Sequence, residues 1–321
     1  MSAVGYETIE LDVDGGMARL TLNRPDAANA INARMAAELR DASIALRFDP
    51  SVRAVLVTAR GKLFSGGGDL RAFKDAGAAA GALLAATASD LHVALATLAE
   101  MDAPVVVGVR GSAGGAGMSL VAAADLVVAG ERAKFTMGYT AAGLAPDGGS
   151  TFFLSRVVGL RRAMDLVLTN RVLTATEAEA WGLVTRVVAD DRVDEEAATL
   201  ASTLAAGPTA TLGVAKRYEM LARRKKHEGP MPEAPPVVDE AGEPVEDPGD
   251  AVKDVDPRME PHPIASDWRA EGWLFRRWMR EQVASDPRDR ETWAISAAAN
   301  SADGREGVAA FLEKRPARFG G

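Results

Sequence analysis

Gly111-Ser-Ala-Gly-Gly-Ala-Gly-Met-Ser-Leu-Val-Ala-Ala-Ala-Asp125 is the stretch on which the reading of this chain turns. It follows Pro104-Val-Val-Val-Gly-Val109, whose β-branched density is that of a buried strand. It runs into Met118–Ala124, an alanine-rich run with good helix propensity. Gly114, Gly115, Ala116 and Gly117 therefore stand where a strand gives way to a helix. There the first helical amides have no intrahelical partner and face whatever lies ahead of them, which suits a developing negative charge. No side chain there exceeds a methyl, so a ligand carbonyl can approach the backbone. The plainer alternative is a tight packing turn.

Working outward, Phe64-Ser-Gly-Gly-Gly-Asp-Leu70 is a second glycine cluster, placed just after the apolar run Ala54–Thr58. It does not fit GxGxxG, because Asp69 falls inside the register, and GxxxxGK[ST] occurs nowhere in the chain. Its remaining use is to present a backbone N–H without obstruction, and Gly68 is the natural donor. Two such amides aimed at one point would stabilise an oxyanion or enolate by about 3 kcal/mol per donor. That is thioester chemistry.

Composition limits the alternatives. The 321 residues allow two domains, or one large α/β unit with a tail. A net charge of -8 argues against nucleic-acid binding, which needs a basic face. The chain has no cysteine, which excludes disulfides and thiolate chemistry, and only three histidines, His92, His227 and His262, so a histidine metal site is not expected. The N-terminus has no basic and apolar leader pattern, and the apolar runs look too short and interrupted to cross a bilayer. A cytoplasmic protein is the expectation.

In chain order, residues 6–22 read as a hairpin turning at Asp14-Gly15-Gly16, and Asn29–Phe48 as an amphipathic helix. Ala76–Glu100 is a long helical region containing His92, for which packing is the ordinary role. Asp125–Ala129 is a further strand. Thr174 with Glu177 forms a capping pattern before a helix that stops at Gly182. Asp194–Ala206 and Ala210–Arg224 read as helices.

The pairing of FSGGGDL with VRGSAGGAGMSLVAAADLVVA, and then AKFTMGYTAAGLAPDGGSTFFLSRVVGLRRAMDLVLTNRVLTATEAEAWGLVTRVV, resembles the crotonase (enoyl-CoA hydratase/isomerase) superfamily. The resemblance covers about residues 5–215 and returns at 303–315. It implies an α/β fold: a crotonase-like ββα spiral core over 1–200, then a C-terminal helical trimerisation region over 201–321. It also implies an acyl-CoA substrate with no separate cofactor, a role in fatty acid metabolism, and a homotrimer or dimer of trimers, with neither nucleic acid nor membrane as partner. The thioester oxygen would sit between the amides of Gly68 and Ala116. Ala28, Gly66, Gly68, Asp69 and Leu70 are expected to contact CoA, Arg71 matches a position that lies close to the CoA phosphates in such enzymes, and Lys314 matches a basic position that approaches the CoA of an adjacent protomer.

Hydratases of the family use two glutamates, and Ser119 and Tyr139 stand at those positions, so hydration is disfavoured. Asp147, in Gly143-Leu-Ala-Pro-Asp-Gly-Gly-Ser-Thr151, falls where isomerases of the family carry their acid/base. Read alone, it is equally a helix N-cap. As acid/base it would gain from desolvation by Leu144, Ala145, Phe152 and Phe153. The resemblance extends to 4-chlorobenzoyl-CoA dehalogenase, in which an Asp nucleophile, an aromatic residue and a His occupy the positions of Asp147, Tyr139 and His92. The expected activity is enoyl-CoA isomerisation through Asp147. The alternatives are hydrolysis or dehalogenation with Asp147 as nucleophile and His92 activating water, and a non-catalytic scaffold.

Residues 227–263 change character, with nine prolines among acidic residues, and read as a linker-like insertion. Trp268, Trp273 and Trp278 come next, reading as a packing stripe or as a lid or subunit contact over the acyl pocket.

Overall fold

In a computed structural model of the chain, residues 5–224 and 302–317 are described. The Pro-rich insertion, the tryptophan cluster, His227 and His262 lie outside them. Contacts divide the chain into two units, Met1–Met220 with Pro287–Gly321, and Leu221–Asp286. Of the second unit only the helical residues 221–224 are described. Both sheets and the cavity between the glycine corners belong to the first.

Two strands, β1 (Ile9–Asp14) and β2 (Met17–Leu22), form the expected hairpin around Gly15 and Gly16, both at positive φ. From β2 the sheet continues in parallel through β3 (Ala54–Ala59), β4 (Val105–Val109), β6 (Leu126–Gly130) and β9 (Arg186–Val188). β4 is buried at every residue, as its unbroken apolar run demands of a strand covered on both faces. One face carries the larger core, built from Leu20, Val55, Val57 and Val107 against α1 (Ala33–Phe48) and α3 (Ala80–Glu100). The other packs Leu56, Val106 and Val128 against Ala197 and Ala201 of α8 (Val193–Ala205). Residue 200 thus lies inside a helix of the core unit, which runs past the boundary drawn from sequence.

A second, three-stranded sheet joins β5 (Ser112–Gly114), β7 (Lys134–Thr136) and β8 (Leu173–Thr174). Its first strand alters the expected course of the Gly111 stretch. The chain does not turn from β4 straight into a helix; it leaves the large sheet, adds β5 to the small one, and only then enters α4 (Ala116–Ala123). Gly111, at φ 68, makes that change possible: a β-carbon there would lie 2.2 Å from the Lys62 carbonyl oxygen. Strands alternating with helices around a mostly parallel sheet give the α/β class expected from sequence.

Two local readings change. The first long helix begins at Ala33, not Asn29, because Ala28 and Asn29 adopt left-handed backbone (φ 52 and 49) and the Asn32 side chain caps the helix by accepting from the Met35 amide at 2.9 Å. Asn29 is used as a pin: its amide nitrogen donates to the carbonyls of Arg60 and Leu63. The run Gly77–Glu100 is long and apolar enough to cross a membrane by composition, contrary to the expectation from sequence. Leu84, Leu91, Leu95 and Leu98 are nevertheless buried in the core of this unit.

The remaining elements are α2 (Leu70–Asp75), α5 (Ser150–Val158), α6 (Leu160–Thr169), α7 (Ala175–Ala180), α9 (Thr209–Arg224) and α10 (Ala302–Glu313). The Thr174–Glu177 capping box is formed, and Gly182 ends its turn at φ 83.

Candidate active site

The loop after β3 spends its amides one by one. Ser65 N–H donates to the Ser112 carbonyl, Gly66 N–H to Ala28, Gly67 N–H to the Ser65 hydroxyl, Asp69 N–H to Ile31 and Leu70 N–H to Gly68. Among residues 65–70 only the Gly68 amide donates to no protein acceptor. The second corner repeats the pattern. Gly114 N–H donates to Ser65 and Gly115 N–H to Thr136, while the next amide, that of Ala116 at the start of α4, donates to none. Each unspent amide follows a glycine at positive φ, Gly67 at 98° and Gly115 at 48°. Those conformations turn the following peptide outward, and L side chains rarely adopt them. Ala116 itself is helical, so its methyl costs the backbone nothing.

The two corners touch. A β-carbon on Gly67 would lie 2.9 Å from the Gly114 carbonyl oxygen, and one on Gly115 would lie 4.0 Å from the Gly68 nitrogen. Isolated bridges Ser65 to Ala113 and Ile31 to Gly68 tie the loop on either side. Ser65, which sequence reasoning missed, is fully buried, donates to the Asn29 carbonyl and takes the Gly67 amide out of play. A Ser flanking a glycine run carries no signal of that role.

Gly68 and Ala116 open onto a cavity of about 840 Å³. Of the residues singled out from sequence, Ala28, Gly66, Gly68, Asp69, Leu70, Arg71, Ala116, Tyr139, Asp147 and Lys314 line it, and His92 does not. Leu84, Ala88 and Leu91 of α3, with Leu144, supply an apolar wall; Phe152 and Phe153 are not part of it.

Asp147 is 6% exposed and Tyr139 7%. The Tyr139 hydroxyl donates to Asp147 Oδ1 at 2.5 Å, and Ser119, fully buried, places its hydroxyl 3.0 Å from Tyr139 Oη and 3.0 Å from the Asp147 carbonyl oxygen. The N-cap of α5 is Gly149 at φ 70, so Asp147 lies outside the cap position considered for it. A donated hydroxyl favours the charged carboxylate and fixes its direction, while burial opposes the charge. The Ser119–Tyr139–Asp147 chain spans α4, the loop before residues 140–142 and the turn before α5, so no sequence spacing announces it.

His92 is 6% exposed, behind this wall, and its Nε2 accepts the Gly148 amide at 2.7 Å. A ring nitrogen already accepting a backbone amide is not placed to take a proton from water.

Next to Gly68, Asp69 has two structural duties, capping the Ala72 amide and pairing with Arg24 at 3.0 Å. Arg71 is exposed on the first turn of α2. Lys314, at φ 54, follows α10, which a Lys74–Glu313 pair links to α2. Hydrogen bonds from Arg315 hold the Glu313 carboxyl below its usual range. Arg24, Arg71 and Lys314 bring cationic side chains to the lining of the cavity.

Residues 12–230 match the sequence model of the family described as Enoyl-CoA hydratase/isomerase. The chain is 37% identical over 212 residues to 1,2-epoxyphenylacetyl-CoA isomerase of Escherichia coli (strain K12), covering 66% of this chain and 81% of that one. It is 35% identical over 217 residues to 4-chlorobenzoyl coenzyme A dehalogenase-2 of Arthrobacter sp, covering 67% and 79%. The crystal structure of an enoyl-CoA hydratase from Mycobacterium avium subsp. paratuberculosis K-10 superposes with a TM-score of 0.73 over 99% of this chain and 100% of its own, at 24% identity, a likeness of fold.

Proposed function

The chain belongs to the enoyl-CoA hydratase/isomerase family, and from that premise we propose that it is an enoyl-CoA double-bond isomerase with Asp147 as its single acid/base. The observation that carries this reading is the conjunction, in one cavity, of two unspent amides, Gly68 and Ala116, with one buried carboxylate held by Tyr139.

A 3-enoyl thioester is converted in two proton transfers. The Asp147 carboxylate takes a proton from the α-carbon, and the electron pair spreads over Cα, Cγ and the thioester oxygen. The Gly68 and Ala116 N–H groups donate to that oxygen as its charge grows, an interaction stronger in the dienolate than in the substrate. The neutral acid then returns the proton at the γ-carbon, leaving the double bond between C2 and C3. One group suffices because the proton leaves and returns on the same molecule.

The dehalogenase-like reading keeps Asp147 as nucleophile but needs His92 to activate water. The Gly148 amide on His92 Nε2 speaks against it. Hydration through two glutamates lacks both of them, since Ser119 and Tyr139 stand at the positions where the family resemblance would put them. A scaffold without activity would leave the two amides unexplained.

Incubation with a 3-enoyl-CoA should raise the absorbance of the conjugated 2-enoyl thioester, and 4-chlorobenzoyl-CoA should release no chloride. Chloride release without isomerisation reverses the assignment. We extend the reading to a homotrimer or dimer of trimers, supported by the exposed stripe Leu160, Met164 and Leu168 on α6. Light scattering on the purified chain tests it, and a monomer contradicts it.

A further inference from the structure

The Asp147–Gly148 peptide is held at both of its polar atoms. Its carbonyl oxygen accepts from the Ser119 hydroxyl at 3.0 Å and from the Ser150 amide at 3.2 Å. Its N–H donates to His92 Nε2 at 2.7 Å, a partner that comes from α3, far away in sequence. Gly148, at φ 66, is wedged between the same two helices: a β-carbon there would stand 2.7 Å from Ser119 Cβ and 3.5 Å from Leu91 Cδ2. A peptide plane fixed at both polar atoms fixes the position of the Asp147 α-carbon, the point from which the carboxylate is aimed.

We propose that His92 is a positioning residue: its imidazole, with the proton on Nδ1 and the lone pair of Nε2 on the Gly148 amide, clamps the backbone that aims Asp147. This rests on Asp147 being the acid/base, and it replaces the water-activating role that sequence position suggested for His92. For Nε2 to accept from an N–H it must carry no proton of its own, so the tautomer is fixed by the contact. Misdirecting a catalytic group by about 1 Å costs on the order of 10²-fold in rate. The group acts through the peptide, so its loss falls on turnover and not on CoA affinity.

The chain has three histidines, so 15N-histidine labelling of the full-length protein gives three ring systems, and the one missing in His92→Gln is His92. We expect a neutral ring with protonated Nδ1 and bare Nε2. His92→Phe, which keeps the volume and loses the acceptor, should lower kcat about 10²-fold with KM little changed. His92→Gln, whose side-chain oxygen reaches the same place, should recover most of that loss. A protonated Nε2 in the wild type overturns the proposal whatever the activity, as does a folded His92→Gln no better than His92→Phe. If the ring has the expected tautomer but the wild type does not isomerise 3-enoyl-CoA, the functional reading fails and the clamp stands. The kinetic comparison then moves to the acyl-CoA reaction that Asp147→Asn abolishes.

Discussion

Gly67 and Gly115 meet backbone to backbone: a β-carbon on Gly115 would stand 3.4 Å from the Gly67 α-carbon. Each glycine precedes one of the two amides left without a protein acceptor. The contact therefore sets the spacing of the pair; a β-carbon on Gly67 would meet the Gly114 carbonyl oxygen at 2.9 Å, and Gly115 is held to glycine by its φ of 48°.

Gly115→Ala should lower kcat by about 10²–10³-fold, the cost of misaligning one oxyanion donor. Backbone at φ 48 resists an alanine, so some thermal stability is lost as well. Steady-state kinetics beside thermal unfolding checks this; a folded variant with wild-type kcat contradicts it.

Asp147→Asn should lower kcat by about 10²–10⁴-fold, the range for a lost general acid or base, with CoA binding intact. Titration calorimetry with a saturated acyl-CoA measures the second half. Weakened binding in step with kcat would make Asp147 a packing residue.

Tyr139→Phe removes the hydroxyl that donates to Asp147. That donor favours the charged carboxylate, so the acid limb of the pH–rate profile should move to higher pH in the variant. An unmoved limb means that the hydroxyl does not govern the base.

Glu38 gives a pH prediction for stability. Burial pushes its carboxyl up, but donors outweigh this and hold it below its ordinary value of 4.5: the amides of Glu7 and Thr8, the Thr8 hydroxyl and Arg34. The carboxyl is depressed in the folded chain, so its contribution is complete above the unfolded value and is lost as pH falls through the lower folded one. Glu38→Gln should cost about 1–3 kcal/mol near neutrality, and the gap to wild type in urea midpoint should close below about pH 4. A gap independent of pH would show that charge is not involved.

Glycine corners and apolar runs made the fold legible in sequence, because their conformations and burial demand particular residue types locally. Gly68 is the donor that the second glycine cluster suggests from its residues, whereas Ala116 comes from the family resemblance. The Asp147 neighbourhood was legible only as alternatives, since cap and acid/base demand the same side chain. The cap falls to Gly149, and the groups that hold Asp147, namely Tyr139, Ser119 and, through the Gly148 amide, His92, are brought together from α3, α4 and two loops by tertiary folding. For the same reason Asn29 reads as the start of a helix: nothing nearby in sequence announces the Arg60 and Leu63 carbonyls that hold its side chain in left-handed backbone.

A crystal structure with a bound, unreactive acyl-CoA decides the matter most directly. The thioester oxygen should lie about 3 Å from both the Gly68 and the Ala116 nitrogen, with the Asp147 carboxylate against the α- and γ-carbons. A thioester oxygen directed away from both nitrogens, or an Asp147 carboxylate out of reach of the acyl chain, would contradict the assignment.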